Sequence, residues 1–133
     1  MELIADIPVL IDIWRCRKAP ARLSDLRAKA GEASLIVPWI VRAEFRRGAA
    51  VLKVEPEVVE RFLAAFPQRE HTPAVEARYA EAWAALRAAG KTPAYPDLWV
   101  AACALEAGLP LLTRADPCGA IPGLEVIPYA LLS

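Results

Sequence analysis

The feature that most limits how this chain can fold is an alternation. Short apolar runs recur along it, and a proline-opened helical stretch follows the first three. Leu3 to Ala5 ends at Asp6, and Pro8 opens what comes next. Ser34 to Val37 is followed by Pro38, and an extended piece around Arg69 to His71 by Thr72-Pro73. Leu111-Leu112 runs into Thr113, and Leu124 to Ile127 closes the series. Apolar runs this short read as buried strands. Proline suits the first helical turn, where its missing N–H costs nothing. Strands alternating with helices predict an α/β domain with a mainly parallel sheet of four to five strands. Right-handed crossovers then bring every strand's carboxyl end to one edge, where sites in such sheets lie.

The helices can be placed from their stops. One starts at Pro8 with Leu10, Ile13 and Trp14 on one side. Others run from Ala21 to Ala30, from Pro38 to about Val51, and from Pro56 to Phe66. Thr72 is a good cap for a long helix to Ala89, stopped by Gly90. The stretch Pro96 to Arg114 reads as helix, tight turn and strand. Leu98, Ala101, Ala102 and Leu105 mark one helix face, Gly108 ends it, and Pro110 prevents its return.

A length of 133 residues is one domain's worth, residues 1–133, and 56% of them are apolar, which argues against disorder. No run approaches a membrane span, and Glu2, Asp6 and Asp12 argue against a signal peptide. Three cysteines (Cys16, Cys103, Cys118) without a Cys-x-x-Cys pair fit small apolar thiols in a reducing cytoplasm. With a single His71 there is no zinc spacing. Net charge is zero, yet residues 13–53 hold ten of the sixteen Lys and Arg. Arg15, Arg17, Lys18, Arg42, Arg46 and Arg47 are candidates to hold an RNA backbone or an acidic partner segment. The simpler reading is a solvated face.

Three acids fall where the sheet edge should be. Asp6 ends the first strand, Glu44 sits one helical turn beyond the second, and Asp97 opens the helix before Leu111. Asp116 follows that strand's end as a fourth. Glu44 shares the inward side of its helix with Ile40, Val41, Phe45, Gly48 and Leu52, while Arg42, Arg46 and Arg47 point away. A carboxylate facing a core needs a cation or strong donors, so a paired arginine is the structural alternative to a functional site. Asp97 alone reads as a helix-dipole partner, Asp6 alone as a cap, and Asp12 as a solvated pair with Arg15. Gathered together, such carboxylates repel unless a dication joins them. Oxygen ligands without His or Cys select Mg²⁺ or Mn²⁺. Such a site can activate water for attack on a phosphodiester.

The segments LIADIPVLIDIW, VPWIVRAEFRRGA, YAEAWAALRAAGKTPAYPDLWVAACALEAGLPLLTR and IPGLEVIPY, in that order and spacing, resemble a PIN-domain protein of the ribonuclease toxin type in VapBC toxin–antitoxin pairs. The resemblance implies a three-layer α/β/α fold with a mainly parallel central sheet. It also implies a Mg²⁺- or Mn²⁺-dependent endoribonuclease acting on RNA, a homodimer, and an antitoxin that blocks the site. It places the acidic metal site at Asp6, Glu44 and Asp97 with Asp116, and assigns Thr113 to positioning water or substrate. The chain departs from the family pattern at Ile7 and Pro8, which replace a hydroxyl and a small polar residue, and at Ala115, which replaces Asn or Asp. Losses around a metal site typically cost about 10–100-fold. The alternative reading is therefore a catalytically impaired PIN-fold module that binds RNA or protein. Without the resemblance, an acidic pocket at a sheet edge also suits a small-molecule phosphohydrolase or a phosphate-accepting domain. Trp14, Trp39, Trp83 and Trp99 read as packing residues at helical spacing rather than base-stacking platforms, and His71 as a satisfied surface group.

Overall fold

The computed structural model describes residues 1–91, 95–114 and 121–133, and the side chains of all of these except 95–97. In chain order the elements are β1 (Glu2–Ala5), α1 (Ile7–Arg15), a 3-10 turn (Pro20–Leu23), α2 (Ser24–Ala30), β2 (Ser34–Pro38), α3 (Trp39–Val51), α4 (Pro56–Leu63), β3 (Gln68–Arg69), α5 (Pro73–Ala88), α6 (Tyr95–Ala107), β4 (Leu111–Thr113) and β5 (Val126–Pro128).

The strands form one five-stranded sheet in the order β3-β2-β1-β4-β5, and all four pairings are parallel. The alternation expected from sequence is thus the architecture found. The edge strand is Gln68–Arg69 rather than 69–71, and the last strand begins at Val126 rather than Leu124. Pro20 tightens the start of the second helical stretch, so its first turn is 3-10 and only Ser24–Ala30 is α-helical.

Successive β1 residues serve opposite faces of the sheet. Ile4 joins Leu10, Val41, Phe45, Val59, Leu63, Val100 and Leu111 in the core beneath α3, α4 and α6. Leu3 and Ala5 join Val9, Cys16, Leu23, Leu26, Leu112 and Tyr129 on the α1–α2 side. These two cores make a three-layer α/β/α domain. Helix α6 is buried nearly all round. Val100 and Ala104 face the main core, Leu98 and Ala101 meet Ala82 and Leu86 of α5, and Ala102 and Cys103 meet Val75. The single apolar face read from its spacing is one part of this. Thr72 caps α5, its hydroxyl accepting the Val75 N–H at 3.3 Å, and Gly90 follows the helix at φ +75°.

On α3, Val41, Phe45 and Ala49 are the buried stripe. Leu52, expected inward, is the C-cap and 69% exposed, because the helix ends at Val51 before that position can turn back to the core. The tryptophans pack as expected. Trp14 lies edge-on to Phe45 and Phe62, and Trp39 edge-on to Trp99 and His71.

Candidate active site

Parallel strands deliver β1, β2 and β4 to a common edge at their carboxyl ends. Asp6 is the residue between β1 and α1. Its extended backbone (φ −78°, ψ 168°) makes it the N-cap of α1, and its Oδ1 accepts the Ile7 N–H at 2.8 Å. Its own N–H donates to the Leu112 carbonyl at 3.1 Å, which ties the cap to β4. One residue on, the Thr113 hydroxyl donates to Asp6 Oδ2 at 2.7 Å. Asp6 and Thr113 are each only 1% exposed. Burial pushes the Asp6 carboxyl above its ordinary value of 3.8, and the hydrogen bonds from Thr113 and Ile7 pull it only part of the way back.

No cation among the described residues lies against Asp6. An ionised carboxylate offers about four acceptor positions, and the described residues fill two of them, from Ile7 N–H and Thr113 O–H. A buried carboxylate with spare lone pairs and no counter-charge fits a hard dication: the protein supplies oxygen ligation and the ion would remove the burial cost.

Glu44 lies on α3, the helix that β2 feeds into the same edge. It is partly buried, and Arg47, one turn later, reaches back to it with Nη2 2.5 Å from Oε2. The sequence reading sent Arg47 away from Glu44; the flexible side chain instead curls along its own helix, although it stays 76% exposed. A pair this exposed contributes about 0–1 kcal/mol, so it supplies Glu44 with a replaceable cation rather than a permanent one. The other arginines on that face are engaged as well. Arg42 forks onto Glu70 at 2.9 Å and also contacts Gln68, while Arg46 forks onto Glu60 at 2.8–3.0 Å. Arg17 stacks over Trp14 at 4.0 Å.

Asp97 falls in the first turn of α6, with its side chain outside the described residues, and Asp116 lies outside the described residues altogether. Among the described residues, no three His, Cys, Asp or Glu side chains are grouped closely enough to hold a metal ion. The structure therefore brings Asp6 and Thr113 together and sets Glu44 on a helix rising from the same edge.

Asp12 corrects the sequence reading. It is not a solvated partner of Arg15 but 1% exposed, taking the Arg114 guanidinium on Oδ1 at 3.0 Å and the Tyr129 hydroxyl on Oδ2 at 2.6 Å. Burial, and then the bond to Asp12, push the Tyr129 phenol far above its usual value. Both partners are more than a hundred positions away in sequence, and helical spacing carries no trace of them. His71 is a surface group held by Glu76 at 2.6 Å, and Cys103 is a buried packing thiol pushed up to about 11.

The fold has close counterparts. Over 97% of this chain and 99% of the other, it superposes on VapBC2 from Rickettsia felis, solved bound to a DNA fragment from their promoter, with TM-score 0.77 and 19% identity. VapBC-1 from nontypeable Haemophilus influenzae gives TM-score 0.77 at 18% identity, covering 96% and 98% of the two chains. A toxin–antitoxin complex from Klebsiella pneumoniae gives 0.72 at 20% identity, covering 95% and 96%. No curated protein sequence matches the chain. The family model of the PIN domain matches residues 4–117, a span that starts within β1 and takes in Asp6, Glu44, Asp97 and Thr113. The all-parallel sheet and that match agree: this chain belongs to the PIN domain family.

Proposed function

We propose that the protein is a divalent-metal-dependent endoribonuclease, the toxin half of a toxin–antitoxin pair. The observation that carries this reading is Asp6: a buried carboxylate at the strand-end edge of a PIN domain, held by a threonine hydroxyl and its own helix N–H, with its charge uncompensated among the described residues. Asp6, Glu44 and Asp97 would hold Mg²⁺ or Mn²⁺, with Asp116 as a fourth candidate. When bound, the ion supplies water activation and charge stabilisation at the phosphodiester. The protein's own part is orientation. Ile7 N–H and Thr113 O–H fix the plane of the Asp6 carboxylate, and Glu44, paired with the exposed Arg47, would be free to take the ion in its place. By the family resemblance, the Thr113 hydroxyl would also help to position water or substrate.

The antitoxin partner is inferred from the toxin–antitoxin complexes that share this fold. A groove lined by Ile11, Trp14, Phe45, Gly48, Leu52 and Val54 beside Glu44 offers an apolar seat for such a segment. A homodimer in the cytoplasm completes the proposal, and no helix among the described residues is long and apolar enough to cross a membrane.

The test is cleavage of a diverse single-stranded RNA pool by protein freed of its antitoxin, with and without Mn²⁺. Metal-dependent cleavage that Asp97→Asn abolishes is the expected result, and absence of cleavage at any metal concentration overturns it. The Glu44–Arg47 pair favours a second reading, an impaired module that binds RNA without cutting it. Retained RNA binding, with no response of the melting temperature to millimolar Mn²⁺, selects that one.

A further inference from the structure

The Asp12 cluster is a buried polar group that a purely apolar core would not require. Well-packed apolar residues replace buried ion pairs at little or no cost to stability, yet here a fully buried carboxylate on α1 is kept with two partners. Both partners lead to the same residue. Arg114 is the neighbour of Thr113 in the chain, and the Tyr129 N–H donates to the Thr113 carbonyl at 3.0 Å. Thr113 is therefore fastened in three ways by described residues: by its hydroxyl to Asp6, by its carbonyl to Tyr129, and through Arg114 to Asp12. The fastenings lie on opposite faces. Leu112 belongs to the α1–α2 core together with Tyr129, and Leu111 to the other core. By strand alternation Arg114 follows Leu112, and Thr113 follows Leu111. A ring thus runs from Thr113 through Arg114, Asp12 and Tyr129 back to the Thr113 carbonyl, with Asp6 joined to it by the Thr113 hydroxyl, around the end of a strand only three residues long.

We propose that Asp12, Arg114 and Tyr129 are positioning residues that brace the end of β4 from behind, so that the Thr113 hydroxyl stays on Asp6. The consequence for metal affinity rests on the function proposed above; the brace itself does not. Tyr129→Phe removes one oxygen and keeps the ring in its core, and Asp12→Asn removes the charge at constant size. Two readouts separate the brace from the proposed function. In metal-free protein, the Thr113 methyl order parameter measured by NMR falls in both variants while core methyls such as Leu98 keep theirs. In Mn²⁺ titrations followed by electron paramagnetic resonance, affinity falls about 10–100-fold, the range for losing a group that orients a ligand. The double variant then loses little more than the worse single one, as expected for groups acting as a unit.

If wild type binds no Mn²⁺, the proposed function falls, and the Thr113 methyl still decides the brace. If the Thr113 methyl stays rigid in both variants, the brace is overturned. A melting temperature lowered in both variants with unchanged methyl dynamics and Mn²⁺ affinity marks the cluster as purely structural and also overturns it.

Discussion

Replacing Asp6 by Asn should stabilise the metal-free protein and disable it at once. Asn keeps the size and both hydrogen bonds: its oxygen accepts the Ile7 N–H, and its amide donates to the Thr113 hydroxyl, which can accept as well as donate. What is lost is the extra strength of two bonds to a charge, about 1 kcal/mol each. What is gained is relief from burying that charge, several kcal/mol. The upward displacement of the Asp6 carboxyl shows that burial outweighs the two bonds. A net gain of about 1 kcal/mol, or roughly 4 °C in melting temperature for a domain of this size, follows at pH 7. The pH dependence has a definite sign. With the folded carboxyl above the unfolded one, the native state holds its proton longer, so wild-type stability falls as pH rises from the ordinary 3.8 through the raised value. The advantage of Asn is thus largest above that window and gone below it. Saturating Mn²⁺ reverses the order, since wild type gains about 2.7 kcal/mol at a hundredfold excess over Kd and the variant gains none. Calorimetry at neutral and acid pH, with and without Mn²⁺, reads all of this. A variant less stable than wild type at pH 7, or an advantage that survives in acid, would refute the argument.

Arg47→Ala should tighten Mn²⁺ binding by up to about fivefold in isothermal titration and leave the melting temperature within about 4 °C, because the pair it removes is worth at most about 1 kcal/mol; unchanged affinity would mean that Arg47 does not compete with the ion. Leu98→Ala, at a position enclosed between α5 and α6, should cost about 2–5 kcal/mol in denaturant unfolding, whereas Leu52→Ser at the exposed end of α3 should stay within about 0.5 kcal/mol. Thr72→Ala should cost about 1 kcal/mol by removing the α5 cap, with amide exchange faster at Val75 than at Leu86.

The fold was readable because its determinants are local. Apolar runs of strand length, prolines at Pro8, Pro38, Pro56 and Pro73, and glycines at Gly31, Gly90 and Gly108 each act within a turn or two of themselves. Their alternation leaves a parallel sheet as the arrangement that short connections allow. Element ends slipped where a neighbour decides them. Residues 68–69, not 69–71, pair with β2 because Val37 and Pro38 are what they face, and Leu52 is exposed because α3 stops one residue earlier. Asp6 was readable as well, since an acid between a buried strand and a proline-led helix has few other places to go.

Asp12 and Glu44 show where periodicity stops. Both were assigned a side of a helix on the assumption that a helix has one buried face and one wet one. That assumption fails for α1 because Asp12 lies three after Val9 and four before Cys16, on the face that packs into the core with Tyr129; a carboxylate there has no water to meet and takes Arg114 and Tyr129 instead. It half fails for α3, where Glu44 does turn inward but finds its cation on the next turn of its own helix. In each case the missing information is the partner, and for Asp6 and Asp12 the partners are 102, 107 and 117 residues away. Contacts of that span form only when β4 and the C-terminal segment dock on β1. An acid's chemistry in this fold is therefore settled by the closing of the sheet, and Thr113, which makes one of those contacts, holds Tyr129 on its carbonyl and precedes Arg114 in the chain, is the residue whose displacement should disturb the proposed site most.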